Sequence, residues 1–384
     1  MAAERRPVRL GLLRLTDAAP VFLAEAVGLL AAEGLDVRLS VEPSWANIAD
    51  KLAFGLLDAA VMLPPLALAM ELGLREPAAP LLVPMALSLN GNAVVLRPDL
   101  AAAVLGGAGL EGSETANPLA RGHRLAAALA TLPRPPRLAV VHAFSTHDLL
   151  LRYWLAASGI DPSRAVELTV VPPAETAAAL ASGRIEGFCA GAPWNAVAER
   201  QGVGRTVLRS AGIWQDHPEK CLAVRAAWAE REPATLQALL RALLRAGLAC
   251  DDPTRAVGLA ALLAEPHRLD LPAELILPSL PGAGDGGRSR FAAHAAAYPW
   301  RSQGRWFARQ LARWHELPAD AALRADRLYR PDLYAQAARA LGLPVPLAER
   351  KEEGAHATAW LLPAEPAPIP MGPDLFCDGQ RFAP

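Results

Sequence analysis

LAFGLLDAAVMLPP (residues 52–65) and LASGRIEGFCAGAP (residues 180–193) carry one pattern. Both read Leu-Ala-x-Gly-x-(Leu/Ile), then an acidic residue, then an apolar run closed by proline. The glycine stops a helix, because it adopts the left-handed backbone of a helix C-terminus at little cost. The acidic residue, Asp58 or Glu186, enters a short strand of small and apolar residues, the kind buried in a parallel sheet. One copy is a weak signal. Two copies predict a chain of two similar α/β lobes.

Reading outward, strand and helix alternate. VRLGLLRL (residues 8–15) is a strand, and residues 16–34 are a helix with Thr16 or Asp17 as N-cap and Gly34 as stop. LDVRLSVE (35–42) alternates as a strand, Ser44 is placed to cap a helix over 45–54, and Pro64 and Pro65 open another. The second half repeats this: strand 137–144, a helix capped by Ser145 or Thr146, strand 166–175, and then the second copy of the pattern. In open α/β sheets ligands bind at the C-terminal ends of the strands, so two such ends facing one another would form a cleft. Beyond the second lobe, residues 233–252 form an amphipathic helix with Leu236, Leu239, Leu240, Leu243 and Leu244 on one face. The glycine-rich stretches 103–114 and 281–290 read as loops, and the last forty residues as a proline-rich surface wrap. The expected lobes are residues 1–95 with 213–384, and 96–212.

Composition limits the function. A chain of 384 residues, 52% of it hydrophobic, has ample material for two cores. Its formal charge is −1, with both signs scattered, which argues against a nucleic-acid surface. Cys189, Cys221, Cys250 and Cys377 show no C-x-x-C pair and no metal-ligand spacing. Arg9 and Arg14 break the apolar run near the N-terminus, so no secretory leader is expected. The expected location is therefore cytoplasmic, or periplasmic if the true start lies upstream.

Candidate site residues fall at helix caps and strand ends. Trp45 opens the helix of the first lobe and offers an indole N–H. Asn92, after Asn90 and Gly91, stands at the start of a strand and offers an amide. His147 lies in the first turn of a helix, beside free backbone N–H groups that favour anions. Gly191 lets a ligand approach the backbone. Lys220 offers a full positive charge at a strand mouth. This set of one cation, one histidine, one amide and one indole suits a small, singly charged, weakly hydrated anion. No carboxylate pair, phosphate loop or metal cluster is expected beside it, nor any nucleophile–base arrangement, so the chain is read as a binding protein and not an enzyme.

These stretches, with SWANIADKLAFGLLDAAVMLPP, LSLNGNAVVL, THDLLLRYWLAASGIDP, GAPWNAVA and DHPEKCLAV, resemble the NrtA and CmpA family of nitrate and bicarbonate binding proteins of ABC transporters. The resemblance implies a type II periplasmic-binding-protein fold with anion capture between the lobes. It implies ligand contacts from Trp45, Asn92, His147, Gly191 and Lys220, with Asn92 where nitrate binders of the family usually carry glutamine. Bicarbonate-binding relatives place an acid at the position of Lys220 and use calcium, so lysine implies nitrate or nitrite, with neither metal nor cofactor. Together with the N-terminus, the resemblance implies a NasS-like sensor that holds a NasT-like RNA-binding antiterminator until the anion binds. The alternative is a receptor delivering nitrate or nitrite to an ABC permease.

Overall fold

The computed structural model describes residues 7–106, 117–282 and 289–384. Ten strands build two sheets: β1 Val8–Leu12, β2 Val37–Val41, β3 Ala59–Met62, β4 Leu81–Leu89, β5 Asn92–Leu96, β6 Arg137–Val140, β7 Glu167–Val170, β8 Gly187–Gly191, β9 Arg205–Arg209 and β10 Pro218–Arg225. The first sheet runs β2-β1-β3-β10-β4 and the second β7-β6-β8-β5-β9. In each, the first three strands are parallel and the fourth is antiparallel to both neighbours. The antiparallel strand is the one that arrives from the other lobe. β5 follows β4 into the second sheet, and β10 follows β9 back into the first.

The repeated pattern occupies equivalent places. β3 and β8 are each third in their sheet, and each helix before them ends at a glycine of positive φ, +70° at Gly55 and +68° at Gly183. The acidic residue has a structural task in both copies. Asp58 accepts from the Arg9 backbone N–H at 3.0 Å and Glu186 from that of Arg137 at 2.6 Å. In return Asp58 and Glu186 donate their own N–H to the carbonyls of Arg9 and Arg137, at 2.9 and 2.8 Å. Arg9 and Arg137 sit at the start of β1 and β6, so each acid pins a strand to its parallel neighbour.

Several expectations need correction. Residues 16–34 are not one helix: a 3₁₀ turn at Thr16–Ala18 leads into Ala19–Ala26, and Gly28 at φ +75° separates Leu29–Ala32. Neither Thr16 nor Asp17 caps it. The lobe boundary expected at residue 95 moves to Asn90–Gly91, because β5 pairs with β8 and β9 in the second sheet. Residues 103–105 are the end of a helix, Pro98–Leu105, which Gly106 closes at φ +64°; residues 107–114 of that expected loop, and 283–288, lie outside the described residues. Other signals hold. Ser44 Oγ accepts from Asn47 N–H at 3.3 Å, and Ser145 Oγ from Asp148 N–H at 3.0 Å, each capping its helix. The five leucines of the helix Pro233–Cys250 are all buried, against the helices Ala19–Ala26 and Pro331–Ala340.

The two crossovers lie side by side. Asn90 N–H donates to the His217 carbonyl and its Nδ2 to Asp216 Oδ1, both at 3.0 Å. The tail does more than wrap the surface, since Phe376 bridges to Trp214 and Cys377 N–H donates to Ile213 O at 2.8 Å, beside the second crossover. Among the described residues no helix is long and apolar enough to cross a membrane.

Candidate functional site

The parallel strands of both sheets end, and β5 and β10 begin, at one interlobe cleft. Lys220 lies near the start of β10 and is fully buried. Its ammonium contacts Asp17 Oδ2 at 2.8 Å and Glu219 Oε1, and stands 5.3 Å from the centroid of the Trp45 ring. Glu219 reaches across the cleft: its Oε2 accepts from Asn92 Nδ2 at 2.6 Å, and His147 Nε2 is 3.4 Å from its Oε1. Gly191 stands directly opposite Asn92 in the β5–β8 ladder. A methyl group there would lie 3.4 Å from Asn92 Oδ1 and 3.5 Å from Asp17 Oδ2. A backbone bond also joins the lobes, from Thr16 N–H to Ala192 O at 3.1 Å.

All five residues singled out in the sequence therefore meet at one place. Trp45 follows its Ser44 cap, His147 follows its Ser145 cap, Asn92 opens β5, Gly191 closes β8 and Lys220 enters with β10. Several buried polar atoms of the cluster have no hydrogen-bond partner: Trp45 Nε1, both ring nitrogens of His147, Asn92 Oδ1 and Asp17 Oδ1. Buried polar groups are rarely left so. The donors among them could be satisfied by a ligand that brings acceptors.

The expectation of a site without a carboxylate pair is wrong. Asp17 and Glu219 both line it and share the Lys220 ammonium. Asp17 reads in the sequence as a helix cap, but it lies in the 3₁₀ turn with its carboxylate on the Lys220 ammonium. Glu219 precedes Lys220 on a strand, where successive side chains should point to opposite faces. The β10–β4 pairing shifts register on both sides of Lys220, and this irregularity brings both side chains to the cleft. His217, which no sequence motif marks, also supports the site: its ring bonds Ser210 Oγ at 2.7 Å, and Ser210 in turn accepts from the Asn92 N–H at 3.2 Å.

Electrostatics follow from burial and these contacts. Burial pulls His147 down to about 3, so its imidazole is neutral near pH 7. For Glu219 burial opposes ionisation, but the charge of Lys220 and its hydrogen bond lead the groups that outweigh it, and the carboxyl is held down at about 2. Asp17 goes the other way, as burial outweighs the pull of Lys220 and raises it above the ordinary carboxylate range. Burial would lower Lys220, yet Asp17 and Glu219 keep it charged.

Two lobes of matching topology, joined by paired crossovers and meeting at a buried polar cleft, define a ligand-binding protein of type II periplasmic-binding-protein fold. The chain belongs to the NMT1-like family, whose sequence model matches residues 1–264, and within it to the NrtA/CmpA type of binding protein. It is 32% identical over 403 aligned positions to the nitrate/nitrite binding protein NrtA of Synechococcus elongatus, covering 100% of this chain and 85% of that one. It is 37% identical to the nitrate import ATP-binding protein NrtC of Synechocystis, over 89% of this chain but only 51% of NrtC. The chain thus spans about half the length of that relative. The crystal structure of the periplasmic nitrate-binding protein NrtA from Synechocystis matches with a TM-score of 0.82 and 29% identity, over 99% of this chain and 96% of that one.

Proposed function

We propose that this chain is the nitrate/nitrite-binding component of an ABC import system, holding the anion between its lobes. One observation carries the reading: donors from both lobes, the Lys220 ammonium, His147, the Asn92 amide and the Trp45 indole, converge on one buried point, and the indole N–H lacks a protein partner. A small anion with several acceptor oxygens supplies a partner to the two donors that lack one, the Trp45 indole and the His147 ring N–H. The names of the similar proteins, nitrate/nitrite binding and nitrate import, support the same ligand and an ABC partner. The sensing role with a NasT-like partner draws no support from them, and import takes its place as the main reading. Closure over the anion would present a permease with a form favoured by ligand, as linkage requires of any ligand that prefers one state.

Titration calorimetry of the full chain with nitrate, nitrite, bicarbonate and sulfate tests this. The expected result is heat of 1:1 binding with nitrate or nitrite, and much weaker binding of the other two. Preference for bicarbonate or sulfate would defeat the assignment. Fractionation of cells carrying a tagged chain separates the roles, with association with a membrane permease expected for import and a cytosolic complex with an RNA-binding protein for sensing.

A further inference from the structure

The cleft holds two carboxylates for one ammonium. With Lys220 charged, Glu219 and Asp17 ionised, and His147 neutral, the buried cluster carries one excess negative charge. A site of that balance repels the monoanion it is proposed to take. One of the acids must give way, and the geometry distinguishes them. Glu219 is fully engaged: Lys220 and Asn92 donate to its two oxygens, and His147 lies 3.4 Å away. Asp17 has Lys220 as partner on Oδ2 only, and its buried Oδ1 has none. The Glu219 charge also faces Asp17 from β10, while Gly191, whose absent Cβ would lie 3.5 Å from Asp17 Oδ2, presents no side chain.

Resting on the nitrate reading above, we infer that Asp17 sets the charge of what the cleft accepts: it takes up one proton from solvent as the anion enters, so that anion and proton bind together. The proton turns an acceptor into a donor, which an ion made only of acceptors requires of every group touching it. It also releases Lys220 from one of its two carboxylates and leaves the cluster's own side chains neutral in sum around the bound anion. Lys220 and Glu219 are the charged groups facing Asp17, and Lys220 and Glu219 each hold their charge through the other. The raised proton affinity of Asp17 from burial agrees with the same choice. A dianion such as sulfate would need a second proton and finds no second acid free to take it.

Nitrate calorimetry of the full chain between pH 6.5 and 8.5, in buffers of high and low ionisation enthalpy, counts the protons. The expected result is uptake approaching one proton per nitrate, with affinity weakening by up to about tenfold per pH unit as pH rises. In Asp17→Asn the uptake should fall close to zero and the pH profile flatten, whereas His147→Gln should bind nitrate more weakly but with the same uptake per nitrate bound. Nitrate binding without uptake in the unmodified chain overturns the inference. So does uptake that survives Asp17→Asn, or nitrate bound by His147→Gln without uptake, a result that decides the matter even if Asp17→Asn does not fold. Absence of nitrate heat at every pH removes the nitrate reading instead, and this inference with it.

Discussion

Lys220→Met removes the charge at the centre of the cleft and keeps most of the side-chain volume. Its cost follows from what the ammonium holds together. Glu219 is held at about 2 instead of its ordinary 4.5, which contributes roughly 3 kcal/mol at neutral pH. That contribution is present above about pH 4.5 and is lost as pH falls toward 2. Asp17, whose proton affinity is raised, offsets part of it at neutral pH, and its cost is relieved as pH falls. Without Lys220 both acids are buried without a counter-ion, the situation that costs roughly 3–5 kcal/mol when a buried pair is broken. Both then behave as Asp17 does, so the variant should regain stability on acidification. Urea unfolding read by far-UV circular dichroism at pH 7 and pH 5.5 checks this. The expected result is a loss of roughly 3–5 kcal/mol at pH 7, a smaller loss at pH 5.5, and no measurable nitrate affinity. Adding Glu219→Gln to Lys220→Met should recover most of the stability and none of the binding. A loss below about 1 kcal/mol at pH 7, or a loss independent of pH, would refute the account of the cluster as a buried, mutually neutralising set.

Two further substitutions test other levels. Gly191→Ala places a methyl at ordinary contact distance from Asn92 and Asp17; the fold should persist while nitrate affinity, by calorimetry, falls roughly tenfold or more because the methyl takes ligand space. Asp58→Ala and Glu186→Ala should each lower stability by roughly 1–3 kcal/mol in denaturant melts, since each strands the backbone N–H of an adjacent strand; a neutral result at both would deny the repeat its structural role.

The fold was legible because its signals are local and duplicated. A glycine that must take positive φ, an acid that must meet a strand N–H, and an apolar run buried on both sides leave the same trace at β3 and β8. The lobe boundary was less legible, since β5 reads as a buried strand whichever sheet it joins. Only its pairing to β8 and β9 decides the matter, and pairing is set by tertiary contact. The helix expected over residues 16–34 failed for a related reason. Its apolar periodicity is real, but the turn at Thr16–Ala18 is held by contacts from elsewhere, such as Ser279 Oγ on Thr16 Oγ1 at 3.1 Å.

The site divides along the same line. Trp45, Asn92, His147, Gly191 and Lys220 stand at caps and strand ends, positions that one sequence marks. Asp17 and Glu219 do not. Asp17 has the chemistry of an N-cap and reads as one in the sequence, while strand alternation points Glu219 away from Lys220. Each reaches the cleft through a local irregularity: a 3₁₀ turn after β1, and the register shifts of β10. Those irregularities change the chemistry as well as the inventory. With Lys220 alone the cleft would be an anion trap of fixed charge, competent at any pH where lysine is protonated. With two acids beside it the ammonium is already neutralised, and on the inference drawn above anion capture is coupled to protonation of one of them. That is why the affinity of this cleft should depend on pH although its only cation titrates far above neutrality.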